Sequence, residues 1–345
     1  MKLAILFGGA SFEHEISIVS AITVKEKLKG FNLEFIFCDQ DHKFYLIEPA
    51  RMKAVTFSKG EHKKMPLLSL ENGGFVKKGL FSKEVVGERV LNLIHGGDGE
   101  DGRIASILEF FDIPFIGPRT EACVFSFDKR YTKYLCEALD VKTLEYEVIH
   151  KNDAKALNTP YPVIVKPARL GSSIGVSIVK EESELDYALD VAFEFDESVL
   201  VEPFIANVKE YNLAGCKIGN EIKFSIVEEP QKNEFLDFDK KYMDFSRSGN
   251  VAAAQVDDAL VSKLQAAFAK VYNGLFEGAL IRCDFFVMDG EVYLNEINPI
   301  PGSMANYLFS DFSKTIEGLF TSLPIKKRAK VNYQYIHNIS KAKGK

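Results

Sequence analysis

Residues 2–7, KLAILF, form a short apolar run that stops at Gly8-Gly9 and is followed at once by Ile18, Ala21, Ile22 and Leu28 at helical spacing. A strand with no polar face has to be covered on both sides, which is the situation of a parallel strand flanked by helices. Leu33–Phe37 supplies the next apolar run, so the chain opens with a β-α-β unit. At 345 residues it exceeds what one hydrophobic core sustains, and several domains are expected.

The pattern after this unit divides the chain in three. Residues 40–88 are less regular, with two lysine-rich stretches and a hairpin-type turn at Glu71-Asn72-Gly73-Gly74. Arg89–Ile94 reads as a strand, Asp101–Phe111 as a helix and Ile113–Ile116 as a strand, and Gly117-Pro118 closes a first α/β domain, 1–118, with a parallel sheet. Residues 119–203 read as a small α+β unit: helices at Lys129–Leu139 and Glu181–Phe193, and strands at Glu145–Ile149, Pro162–Lys166, Ile174–Val179 and Ser198–Glu202. A third unit, 204–345, holds a hairpin around Gly219-Asn220, a helix at Asp257–Phe276 and strands Ala279–Met288 and Glu291–Ile297 around Asp289-Gly290. Its polar stretch 228–250 lacks periodicity, and a loop of that length is expected to be a lid.

Composition excludes several classes. With 43 basic and 49 acidic residues the net charge is -6, which gives no footprint for nucleic acid. Residues 318–345 carry seven Lys or Arg and no acid; this basic tail is read as a surface-packed terminus, with no membrane partner. Five scattered cysteines without a C-x-x-C pair read as reduced thiols, and the first residues lack the features of a signal peptide, so a cytoplasmic location is expected.

Four segments carry chemistry. GGASFEHE at 8–15 follows the first strand and opens a helix, where backbone N–H groups favour an anion, although it is not a G-x-G-x-x-G and the bland alternative is a solvated helix start. HGGDGEDG at 95–102 sits at the carboxyl end of a strand, where α/β sheets place ligands; the alternative is an acidic turn capped by Asp101. VKPARLGSSIG at 165–175 delivers Lys166 from an apolar strand into a Gly/Ser loop fit to wrap a phosphate. In the fourth, strand alternation puts Arg282 with Asp284, and Glu296 with Asn298, on the faces of one hairpin. Two carboxylates and an amide oxygen there suit magnesium with nucleotide phosphates, against the alternative of a plain cross-strand ion pair.

In this order GGASFEHEIS, HGGDGEDG, DKRYTKYL, KPARLGSSIGV, KKY, RCDFF and NEINPIPGS resemble the D-alanine-D-alanine ligases of the ATP-grasp superfamily, from the first strand to Leu308. The resemblance implies a three-domain ATP-grasp fold, α/β and α+β, that binds ATP between the central and C-terminal units and joins two D-alanines through an acylphosphate for peptidoglycan synthesis. It implies ATP contacts from Lys129, Lys166, Glu202, Phe204, Ile205, Glu210, Phe235 and Lys241. Asp284, Glu296 and Asn298 are implied as ligands of two Mg2+ ions, with Mn2+ as a substitute, and Arg282 with the Gly302 N–H as oxyanion donors. Glu13 is implied to pair with the first ammonium group, Ser172 and Tyr242 to pin the lid with it, and His95, Tyr307 and Leu308 to face substrate. A homodimer is expected. The competing readings are another carboxylate-amine ligase of the superfamily and a non-catalytic nucleotide-binding module, which would lack the metal ligands.

Overall fold

The computed structural model describes residues 1–79, 82–153, 156–230, 251–324 and 329–343. The first part runs β1 (Lys2–Gly8), α1 (His14–Lys27), β2 (Asn32–Cys38), β3 (Phe44–Ile47), α2 (Ala54–Ser58), β4 (Leu67–Glu71), β5 (Gly74–Lys78), β6 (Lys83–Val86), β7 (Val90–Asn92), α3 (Arg103–Phe110) and β8 (Phe115–Ile116). These strands form one sheet in the order β6-β5-β4-β3-β2-β1-β7-β8. It is parallel across β2, β1, β7 and β8, and antiparallel from β2 outward to β6. The expected parallel sheet is therefore one half of a mixed one. Strand β1 shows why its sequence is apolar throughout: Leu3, Ile5 and Phe7 enter one core, while Ala4 and Leu6 enter the core on the opposite face. In the irregular stretch, β6 leaves most of its length exposed, so no apolar run marks it.

The middle part comprises α4 (Thr120–Phe127), α5 (Lys129–Ala138), β9 (Glu147–His150), β10 (Val163–Pro167), β11 (Ser177–Val179), α6 (Leu185–Phe193) and β12 (Ser198–Pro203). Its antiparallel sheet has the order β11-β10-β12-β9. Asp128 caps α5 by accepting from the Arg130 N–H. The last part adds β13 (Lys209–Ile218), β14 (Glu221–Glu228), α7 (Asp258–Tyr272), β15 (Leu280–Met288), β16 (Glu291–Asn298), α8 (Phe312–Thr321) and α9 (Gln334–Lys343), its sheet ordered β14-β13-β15-β16. Helix α7 buries Leu264, Phe268, Val271 and Tyr272 against Tyr211, Ile281, Cys283 and Phe285. Gly215 permits this approach, because a Cβ there would lie 3.0 Å from the Phe268 ring.

One core is shared between the first and last sheets, joining Leu3, Ile5 and Phe7 to Ala214, Leu280, Ile300, Met304 and Leu308. The two are thereby packed as one body around the end of β16. All five cysteines are buried and free. Among the described residues no helix is long and apolar enough to cross a membrane. In the basic tail, α9 is a helix that the sequence reading did not anticipate, and 329–341 are exposed.

Candidate active site

The glycine turn after β1 is dictated by close backbone contact. Gly8 has φ +102°, and a Cβ on it would fall 2.1 Å from the Cys38 carbonyl oxygen. The next residues turn back, with the Ala10 N–H donating to Asp98 Oδ2 at 2.7 Å, and so carry Glu13 inward. Glu13 is only 7% exposed. It is hemmed in by two glycines: a Cβ would stand 2.6 Å from its Oε2 on Gly96 and 3.1 Å from its Oε1 on Gly171. The Ser172 hydroxyl donates to Glu13 Oε1 at 2.5 Å. Ser172 and Ser173 both hold positive φ, a costly conformation for residues with a Cβ and one that recurs at ligand clamps. Burial, reinforced by Glu100, pushes the Glu13 carboxyl up to about 7.

His95, just beyond β7, is buried; its Nε2 lies 3.0 Å from Ser20 Oγ and its Nδ1 3.5 Å from Glu100 Oε1. Burial drives the imidazole down to about 4 and the Glu100 carboxyl up to about 8. The pair is therefore a neutral imidazole beside a carboxyl that holds its proton through neutrality. In the loop after His95, Asp101 accepts from the Arg103 N–H although the residue at the helix N-cap is Gly102, and Gly96 stands against Glu13.

From the middle sheet, Lys166 on β10 meets Glu202 on β12 at 2.6 Å. The other Glu202 oxygen is taken by Lys133 of α5, and Glu202 is 2% exposed. The two lysines overcome the cost of burial and hold the Glu202 carboxyl below the ordinary range. One helical turn before Lys133, Lys129 donates to the Leu170 carbonyl at 2.6 Å and stands 3.7 Å from Glu296. Ile164, Val176, Leu200, Phe286 and Ile297 give this end of the cleft an apolar lining, beside Glu210 and Asn212.

The β15–β16 hairpin has the register that alternation predicts, Arg282 opposite Asn298 and Asp284 opposite Glu296. Arg282 donates to both oxygens of Asp284, at 2.7 and 2.8 Å, and Asn298 Nδ2 reaches Asp284 Oδ2 at 2.9 Å. Burial opposes the Arg282 charge, but Asp284 outweighs it and keeps the guanidinium protonated. Arg282 thus pairs with Asp284 within its own strand rather than across the hairpin, and Glu296 on the facing strand has Lys129 at 3.7 Å. Among the described residues no group of three or more His, Cys, Asp or Glu could hold a metal ion. The candidate donors are the oxygens of Asp284, Glu296 and Asn298, which fit a hard divalent ion that completes its shell with phosphate and water.

Beyond Pro301 the backbone makes a left-handed turn, with φ of +47°, +54° and +47° at Ser303, Met304 and Ala305. The Ser303 N–H donates to Ser20 Oγ of α1 at 3.0 Å, so the first part of the chain holds this turn in place. Tyr307 Oη lies 3.4 Å from Arg282.

Glu13, His95, Lys129, Lys166, Ser172, Glu202, Glu210, Arg282, Asp284, Glu296, Asn298, Gly302 and Tyr307 all line one cleft of about 360 Å3. Three of the expected residues stand apart from it. Phe204 and Ile205 are half-buried on the connection after β12 and do not line it. Leu308 is fully buried, its side chain packed in the shared core. Phe235, Lys241 and Tyr242, with most of the expected lid, lie outside the described residues. The sequence reading missed Lys133 and Glu100. Lys133 is legible as the lysine one turn after Lys129 on α5; Glu100 is masked by the neighbouring acids of its loop.

Two antiparallel four-stranded sheets closing on a lysine-rich, oxygen-rich cleft, beside a mixed α/β sheet that supplies a carboxylate, define a ligase of ATP-grasp architecture. The family "D-ala D-ala ligase N-terminus" matches residues 2–118 and "D-ala D-ala ligase C-terminus" matches 135–320. The chain belongs to the D-alanine-D-alanine ligase family. A D-alanine–D-alanine ligase of Sulfurimonas denitrificans is 68% identical over 345 residues, and one of Wolinella succinogenes 58% over 346, each match covering both chains in full. The crystal structure of a D-alanine-D-alanine ligase from Helicobacter pylori superposes with a TM-score of 0.84 at 50% identity, covering 95% of this chain and 100% of that one. A D-Ala:D-Ser ligase from Enterococcus faecalis shares 26% identity, with a TM-score of 0.74 over 93% of this chain and 97% of its own.

Proposed function

We propose that this ligase joins two D-alanines to D-alanyl-D-alanine at the expense of ATP, as a step in peptidoglycan precursor synthesis. The observation that carries the reading is that Glu13 at the start of α1, and Arg282, Asp284, Glu296 and Asn298 of the last sheet, line one cleft with Lys129 and Lys166 from the middle part. A cavity with an anion for an ammonium group at one end and cations for phosphates at the other matches an amino acid activated by a nucleotide. The activated species is an acylphosphate, formed when the first carboxylate takes the γ-phosphoryl group.

Each residue has a physical task. Glu13 pairs with the ammonium of the first D-alanine, and that partner offsets the burial that otherwise favours its protonated form. Lys129 and Lys166 neutralise phosphate oxygens, and Glu210 accepts from ribose hydroxyls. Asp284, Glu296 and Asn298 would hold two Mg2+ ions, with Mn2+ as a substitute, and the ions would supply charge neutralisation at the transferring phosphoryl group. The second amine, as its free base, attacks the acylphosphate carbonyl carbon; the oxyanion accepts from Arg282 and the Gly302 N–H, a type of contact worth about 3 kcal/mol when one donor is lost, and its collapse breaks the carbon–oxygen bond to release phosphate, the nitrogen losing a proton to give the amide. His95, neutral by burial, contacts substrate without adding charge. Phe235, Lys241 and Tyr242 complete the ATP contacts and pin the lid together with Ser172 and Glu13, which keeps water from the acylphosphate. We place the domain limits at 118/119, after the last strand of the first sheet and before α4, and at 203/204, after β12, and the protein in the cytoplasm as a homodimer.

The test is ADP release with ATP and Mg2+ in the presence of D-alanine, L-alanine, D-lactate plus D-alanine, or no amino acid, with products identified by mass. D-Alanine-dependent ADP release with stoichiometric dipeptide is the expected result. ADP release with another acid alone would move the substrate, and tight ATP binding without turnover would overturn the reading.

A further inference from the structure

Glu202 is 2% exposed and carries two lysines, one on each carboxylate oxygen. The two are not equivalent. Lys133 is itself almost fully buried, donates also to the Leu144 carbonyl at 3.1 Å and lies 5.4 Å from the Tyr146 ring centroid, so it is fixed on three sides. Lys166 is held by Glu202 at 2.6 Å; it stands at the end of β10 where the Gly/Ser loop begins and lines the cleft. To reach a phosphate, Lys166 has to leave Glu202. A buried carboxylate deprived of its only counter-ion is strongly unfavourable, whereas one that keeps a second cation is not.

We propose that Lys133 is a positioning residue for the nucleotide: it is the permanent counter-ion of Glu202, and it thereby frees Lys166 to exchange Glu202 for the phosphates of ATP. This rests on the reading of the cleft as the ATP site. Its consequence is specific to phosphate, because a ligand without phosphates does not require Lys166 to move.

Affinities of the full-length protein for ATP and for adenosine, measured by calorimetry, test it. In Lys133→Met the ratio of adenosine to ATP dissociation constants is expected to fall at least tenfold, with adenosine binding changed less than twofold. In the Glu202→Gln background, where no carboxylate holds Lys166 back, adding Lys133→Met is expected to leave the ratio within twofold of that of Glu202→Gln alone. Equal weakening of both ligands, which a distorted slot would produce, overturns the proposal, and so does an unchanged ratio in the single variant. Should Lys133→Met not fold, Lys133→Met/Glu202→Gln decides against Glu202→Gln: a ratio tenfold below that of Glu202→Gln refutes the role of Glu202, and an equal ratio supports it. Failure of the wild-type protein to bind ATP would instead strike the reading of the cleft.

Discussion

Replacing Glu13 with Gln should make the protein more stable while abolishing ligation, and the gain should depend on pH. Glu13 is nearly buried, and burial raises its carboxyl from 4.5 to about 7. A group with a raised folded value contributes stability that is fully present below its unfolded value and is lost as pH rises through the folded one. For this span the loss is about 3 kcal/mol, complete above pH 7. Gln has no proton to lose and its carbonyl can still accept from Ser172, so the variant keeps that stability. Thermal unfolding at pH 5 and pH 8.5, without ligands, provides the assay. The difference between Glu13→Gln and wild type should be small at pH 5 and should grow by several degrees at pH 8.5 in favour of the variant. A difference that does not change with pH would show that the Glu13 carboxylate is not paying for burial, and the assignment of that burial to ammonium capture would fall with it.

Further expectations concern the rest of the cleft. Glu296→Gln should abolish ADP formation without altering the melting temperature, since it removes a metal-directed charge at constant size; normal turnover would refute the metal assignment. Gly96→Ala should raise KM for D-alanine with little effect on ATP affinity, because the new Cβ would meet Glu13 Oε2 at 2.6 Å and φ is +68° there; equal effects on both substrates would contradict the placement of Glu13. Arg282→Lys should lower kcat by about 100-fold or more through loss of an oriented donor, and a kcat within threefold of wild type would remove Arg282 from the oxyanion site. Glu100→Gln should flatten the decline in stability between pH 5 and 8 that a carboxyl raised to about 8 imposes, as read from the melting profile.

Much of this arrangement is legible in the residues. The two apolar faces of β1 and the period-2 pairing of Arg282, Asp284, Glu296 and Asn298 follow from local pattern alone, because burial on both faces and strand alternation leave little choice. The antiparallel half of the first sheet is only partly legible: the turn at Glu71–Gly74 joins β4 to β5 as its residues predict, whereas the edge strand β6 is mostly exposed and carries no apolar run. The role of Glu202 is not legible: an acid after an apolar strand reads as a ligand contact, and only the fold reveals the two lysines that converge on it. Leu308 places its side chain in the shared core, so a contact with substrate would fall to its backbone, which no side-chain pattern marks.

The left-handed turn at Ser303–Ala305 bears on how such enzymes can be recombined. Its three residues pay for an unfavourable backbone, and Ser20 of α1 together with the shared core holds them there. Gly302 is thus aligned by a helix nearly 300 positions earlier in the chain. Grafting a first domain from a relative onto this C-terminal part would mate two surfaces that were never fitted to each other, and the proposed oxyanion donor, displaced by an ångström, would lose its alignment even if both halves folded. Successful exchange requires the two halves to be cut so that α1 and the 302–308 turn travel together.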